Sequence, residues 1–195
     1  MFISRNREKL INAIIYFARN TKYCLTTKLF KLLNFLDFEH YRMTGRGVTG
    51  LAYKAWQKGP GPADLWRDIQ NLPEYLKNAV AFEEIKDELT GEPRGRRIRP
   101  LKQFDKSFFT PREMKIMALL AEIFRDARAD DMVSVSHGKN YPWEKVFQDG
   151  RGKGTIIPYD LALESKEIIG TIPSLPKSEI NFRQELHKEI EAETL

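Results

Sequence analysis

One cysteine, Cys24, stands in a chain of 195 residues. It excludes an internal disulfide and any cysteine-rich zinc spacing, and it suits a reducing cytoplasm. No histidine or acid flanks it, so Cys24 reads as a small packing residue rather than a nucleophile. Histidine is nearly as scarce, with only His40, His137 and His187. A metal centre needs three or four convergent ligands, which here would require His40, His137 and Asp37 to meet by folding; no metal and no cofactor is expected. Long apolar runs are missing too. The stretch after Arg5, Arg7, Glu8 and Lys9 is broken by Arg19 and Lys22, and no small-residue cleavage site follows. Nothing reaches the ~20 apolar residues of a membrane span. The expectation is a cytoplasmic protein without a membrane partner. The GxxxxGK[ST], GxGxxG, GxSxG and HExxH motifs are all absent, and no enzyme is expected. Gly150-Arg151-Gly152-Lys153-Gly154 has no preceding strand and no Ser or Thr after the lysine, so it reads as a flexible loop.

What is present is a chain with 42% hydrophobic residues, enough for one well-buried core. The formal charge of +5 is modest and says little about partners until its distribution is known. Leu10, Ile11, Ile14, Ile15 and Ala18 fall on one face of a helix over 5–19. Thr26 or Thr27 is placed to cap a second, amphipathic helix reaching about Arg42, with Leu29, Leu32, Leu33, Leu36 and His40 inward. Gly45 and Gly47 stop it. Leu51, Tyr53 and Ala55 alternate as a short strand would, although the same residues also fit a helical turn. Gly59-Pro60-Gly61-Pro62 is expected to break regular structure. Pro62 then opens a helix with Leu65, Trp66, Ile69 and Leu72 as its stripe, and Pro73 opens another short one. Residues 81–108 read as an exposed loop or hairpin. Thr110-Pro111-Arg112-Glu113 is a capping box with proline at the first helical position. Its helix continues through Met114, Met117, Leu120, Ile123 and Phe124. A short helix capped by Asp130 or Asp131 through Met132, Val133 and Val135 is expected to end at His137-Gly138. Further on come a turn opened by Pro142-Trp143, an extended Ile156-Ile157-Pro158 and a helix from Asp160 to Ile169. After a linker marked by Pro173 and Pro176, Glu179–Glu193 forms an acidic helix with Phe182, Leu186 and Ile190 spaced four apart. The fold class is mainly α. We expect a compact single-domain helical bundle over 1–170, with a short β-hairpin or extended segments. A linker and amphipathic tail follow over 171–195.

Three features carry candidate chemistry. Asp37 and His40 lie three apart on a helix and can share a face, as an acid–base couple or, more commonly, as a buried polar pair that fixes the helix end. His137 near Trp143 has the same two readings. Arg94, Arg96, Arg97, Arg99 and Lys102 form a basic run between Gly91 and Lys106 without the interleaved aromatics that stack bases.

In order along the chain stand Leu32-Leu33, Phe35, Asp37, His40, Gly45, Val48-Thr49-Gly50, Tyr53, Gly59-Pro60, Ser136-His137, Trp143 and Ile157-Pro158. Together they resemble the Panacea domain, the SocA-like antitoxin module of bacterial and phage toxin–antitoxin systems, from about Lys9 to Leu163. Asn34 stands where an aromatic is often found, Leu51 where an Asp is often seen, and Gly61 where a hydrophobic residue commonly follows Gly-Pro. The resemblance implies a non-enzymatic antitoxin that binds a cognate toxin, such as a nucleotide pyrophosphokinase that attacks translation. It also leaves open an adaptor that delivers the toxin to a AAA+ protease. A regulator binding nucleic acid through 94–102 is a further alternative, though nucleic acid is not the expected partner. Asp37, His40, Thr49, Gly50, Tyr53, Gly59, Pro60, His137 and Trp143 would form the family core. Arg94, Arg96, Arg97, Arg99 and Phe182, Leu186, Ile190 are the partner-binding candidates.

Overall fold

The computed structural model describes residues 2–87, 89–132, 141–165, 168–169 and 175–192. It is mainly helical, with two small antiparallel hairpins. Helix α1 (Phe2–Asn20) buries Leu10, Ile11, Ile14 and Ile15, the stripe its spacing marks out. Helix α5 (Pro111–Ile123) starts on the expected capping box: Thr110 Oγ1 accepts from the Glu113 N–H, and Glu113 returns a bond to the Thr110 N–H.

Helix α2 (Thr26–Thr44) lies between them and is not amphipathic. Every residue but Thr27 and Arg42 is buried, as expected of a helix covered on all sides. It packs against α1, α5, both hairpins, the 3₁₀ segment Tyr159–Glu164 and the C-terminal helix. Its N-cap is Leu25, with no side-chain cap from the expected threonines. It ends at Gly45, whose left-handed φ of 72° lets its N–H return to the Tyr41 carbonyl at 2.7 Å.

Strand β1 (Tyr53–Trp56) follows the alternation rather than the helical alternative, burying Tyr53 and Ala55. The Gly-Pro-Gly-Pro segment does not break regular structure: Gly59–Pro62 is strand β2, paired antiparallel with β1. Its register sets the glycines opposite Trp56 and Lys54 and the prolines opposite Ala55 and Tyr53. An edge strand uses only alternate N–H groups in its ladder, so a proline at every second place is tolerated. The extended 154–157 segment flanks β1 on its other side, through Ala55 N–H to Thr155 O and Ile157 N–H to Tyr53 O, both 2.8 Å.

Helices α3 (Ala63–Asn71) and α4 (Glu74–Lys77) follow Pro62 and Pro73 as read. The basic region is a hairpin, β3 (Val80–Lys86) with β4 (Pro93–Pro100), anchored through Val80 and Ile98. Helix α6 is Pro142–Phe147 and α7 is Lys177–Ala192. The expected helix from Asp160 to Ile169 is a 3₁₀ turn that stops at Glu164. The short helix through Val133 and Val135, Ser136-His137 and Pro173 lie outside the described residues.

Near its start the C-terminal helix meets α2 through Ile180 and leaves Phe182 exposed. Ile180 is buried, its carbonyl sits against Gly45 at the end of α2, and Leu175 N–H bonds the Met43 carbonyl at 2.9 Å. Phe182 is 62% exposed. The helix backbone continues through Leu186 and Ile190, whose side chains lie outside the described residues.

Candidate functional site

The polar residues of the motif close on themselves. Asp37, fully buried in α2, accepts four hydrogen bonds from the turn that follows the helix. Val48 N–H and Thr49 N–H donate to Oδ1 at 2.7 Å each; Thr49 Oγ1 at 2.5 Å and the Tyr53 hydroxyl at 2.7 Å donate to Oδ2. Burial pushes the Asp37 carboxyl above the usual carboxylate range, against the pull of these donors.

His40 shares no hydrogen bond with Asp37. Its Nδ1–H donates to the Arg46 carbonyl at 2.6 Å, and the Thr44 hydroxyl lies 3.2 Å from the same nitrogen. Burial lowers its pKa, so the ring is neutral in this bond. Asp37 and His40 thus bond different segments of the chain. Each clamps a different part of the 45–53 turn onto α2. Gly50 takes a φ of 71° at the end of that turn, which a side chain would strain. Tyr159 covers the turn, stacked on Phe38 at 4.7 Å and donating to the Leu51 carbonyl at 2.7 Å. Cys24 is buried and its thiol is pushed up to about 11, which removes its nucleophilic form.

Trp143, on α6, donates its indole N–H to the Trp56 carbonyl at 2.8 Å and stacks on Phe147 at 4.5 Å. It thus fixes the end of β1. Gly61 serves the same corner: a Cβ there would stand 1.9 Å from the Trp56 ring, so the indole lies flat over β2 only because Gly61 is glycine. Gly59 and Pro60 line a cleft of about 570 Å³ between α2, the β1–β2 turn, α3 and the basic hairpin.

Of the arginines, Arg94 and Arg96 face this cleft and Arg97 and Arg99 do not. Arg94 pairs with Asp87 at 2.6 Å. Arg96 bonds the Ile69 carbonyl at 3.0 Å and Gln70 Oε1 at 2.9 Å, and Arg99 pairs with Glu83 at 2.6 Å.

A family model described as "Antitoxin SocA-like, Panacea domain" matches residues 29–144, more than half of the chain. The chain belongs to the SocA-like Panacea family. No curated protein and no solved structure matches it. The matched region runs from α2 into the first turn of α6. It therefore takes in every motif residue of the turn and of the β1–β2 hairpin, but not α1 or Ile157-Pro158. Within the Panacea domain, Asp37, Thr49 and Tyr53 come together as one bonded cluster. His40 holds the neighbouring turn, Gly59 and Pro60 sit across β1, and His137 lies outside the described residues.

Sequence reasoning missed two lysines. Lys28 and Lys31 look like the solvated side of an amphipathic helix, yet both are buried in α2. Lys31 Nζ donates to the Lys58 carbonyl at 3.0 Å, tying the β1–β2 turn to the helix. Burial pulls its ammonium down to about 8, with the Asp130 carboxylate opposing. Between about pH 8 and the ordinary lysine value of 10.5 the unfolded chain binds a proton that the folded chain does not. The Lys31 contribution to stability therefore rises with pH across that window, and its charging cost is fully present below it. Urea unfolding of wild type and Lys31→Met should show their difference moving in favour of wild type as pH rises from about 8 to 10.5, by up to about 3 kcal/mol. A difference that stays flat with pH would show Lys31 titrating as a solvated lysine.

Proposed function

We propose that this Panacea protein neutralises a cognate toxin by binding it directly. The observation that carries the reading is the closure of the family motif. Asp37 spends both carboxylate oxygens on the 48–53 segment, and His40 spends its Nδ1 on the Arg46 carbonyl. Residues held in this way shape a scaffold, and function falls to the surface the scaffold presents. Among the described residues no three His, Cys, Asp or Glu side chains converge as metal ligands would, and no helix is long and apolar enough to cross a membrane.

A toxin that acts on translation, such as a nucleotide pyrophosphokinase, fits the family reading. Of the arginines of the basic run, Arg94 and Arg96, which line the cleft, are the candidate contact residues, while Arg97 and Arg99 lie outside it. The exposed Phe182 is a further candidate, with Leu186 and Ile190 on the same tail. Deleting 178–195 without change in toxin affinity would remove the tail from that interface.

The deciding experiment co-expresses the chain with the product of the adjacent open reading frame and scores growth and co-purification. Direct neutralisation predicts that the neighbour arrests growth alone, that this chain restores it, and that a stable complex is recovered. Restored growth with the toxin lost from cells, and regained only when a AAA+ protease is deleted, would instead support delivery for degradation.

A further inference from the structure

The cleft beside the basic hairpin is built from two kinds of side chain, aromatic and cationic. Its floor is aromatic. Phe30, Trp56 and Trp66 meet edge to face, with ring centres 6.2–6.4 Å apart, and Trp66 remains 43% exposed. Its rim is cationic. Lys58 is exposed on the β1–β2 turn, and Arg94 and Arg96 project from β4. Among the described residues Glu84 is the only acidic one of the lining, and buried Lys31 adds its charge from below.

The parts are held in place before anything binds. Trp56 is pinned by the Trp143 bond to its carbonyl and by the missing side chain at Gly61. Arg96 is fixed by two bonds to α3, which leave guanidinium donors over. The volume of about 570 Å³ is that of an ordinary recognition pocket. Tryptophan and arginine in a preformed recess are the residues that dominate protein interfaces.

We propose that this cleft seats an acidic segment of the toxin, one that places a large apolar side chain on Trp66 between carboxylates that meet Lys58, Arg94 and Arg96. The assignment rests on the antitoxin reading above. Charge complementarity selects the occupant: the lining sets Lys31, Lys58, Arg94 and Arg96 against Glu84, and even with Asp87 paired to Arg94 the cations outnumber the acids, which favours an anionic partner. The ring arrangement selects a protein over a nucleic acid. The three rings pack against one another at 66–83° and offer no row of open faces on which successive bases stack.

The test uses the full chain and the adjacent reading-frame product, with affinity measured by calorimetry and growth rescue scored in parallel. The variants are Trp66→Ala, the pair Lys58→Glu with Arg94→Glu, and the pair Arg97→Glu with Arg99→Glu on strand positions outside the cleft. All stand at exposed positions, and thermal melts check that they fold. The cleft assignment predicts a loss of at least about 30-fold for Trp66→Ala and for the Lys58/Arg94 pair. The Arg97/Arg99 pair should stay within about 3-fold of wild type. If wild type binds and the cleft variants bind equally well, the cleft is not the interface and the antitoxin reading stands. An equal loss in the Arg97/Arg99 pair would show a diffuse charge effect and overturn the cleft in the same way. If wild type neither binds nor rescues, both fall. Salt-steep binding of a labelled single-stranded RNA that disappears in the Lys58/Arg94 pair would replace the protein occupant by a nucleic acid.

Discussion

Replacing Asp37 by alanine is expected to leave little folded protein. The substitution strands two backbone N–H groups and two hydroxyls, Val48, Thr49 and Tyr53 together, inside the domain. An unsatisfied buried donor costs about 1–3 kcal/mol, and even with some donors recovered by water the total is on the order of 4 kcal/mol or more. That is a large share of the roughly 5–15 kcal/mol that holds a typical domain. Asparagine should behave differently. Its carbonyl oxygen can accept both N–H groups, while its amide donates to the Thr49 and Tyr53 hydroxyls, which accept as readily as they donate. Asp37→Asn loses charge-assisted strength but orphans nothing, so a cost of about 1–2 kcal/mol is expected. The raised pKa of the buried carboxyl points the same way, because burial already disfavours its charge. Urea denaturation of the two variants decides the matter. An alanine variant as stable as wild type, or an asparagine variant as damaged as alanine, would show that the turn is not held in this way.

A comparable loss is expected for Lys28→Met. The three N–H groups of the Lys28 ammonium donate to the carbonyls of Lys22 and Phe124 at 2.7 Å and Ala127 at 2.6 Å, with the Arg125 carbonyl sharing a donor at 3.3 Å. Three of these belong to the end of α5 and the chain just beyond it, where a helix leaves carbonyls without partners and carries partial negative charge. Lys28 is thus a C-cap supplied by another helix, and it joins α2 to α5. Methionine keeps the length of the stem and removes the donors. It strands the buried Phe124 carbonyl and the part-buried Lys22 and Ala127 carbonyls, while the Arg125 carbonyl keeps the Lys22 N–H at 2.8 Å, so the cost is on the order of 3 kcal/mol. Lys22→Met is the control. Lys22 pairs with Asp126 at 2.7 Å in a largely exposed ion pair, and such pairs contribute less than about 1 kcal/mol. Equal melting temperatures for the two methionine variants would refute the capping role of Lys28.

The sequence by itself determined the elements whose causes are local. The Thr110–Glu113 box starts α5 because both bonds form within four residues, and Gly45 ends α2 because only the left-handed region closes that turn. Apolar spacing placed α1, and the alternation of Tyr53 and Ala55 favoured the strand that forms. The ordered set from Leu32 to Trp143 pointed to the Panacea family, since the motif is written in the chain whatever its geometry. The tertiary structure decided everything that depends on what covers a residue. Lys28 and Lys31 have the spacing of a solvated helix face, and only the hairpins, α5 and the C-terminal helix closing around α2 turn them into internal bonds. Gly59–Pro62 became a strand because β1 offers an edge that tolerates prolines at alternate places, a fact about the neighbour and not the segment. Ile180, not Phe182, docked on α2 because Gly45 leaves room for its backbone there. The cleft gathers residues from 26 to 96 onto one surface. No spacing rule places Trp66 beside Arg94, because their meeting is set by how α3 and the basic hairpin pack on α2.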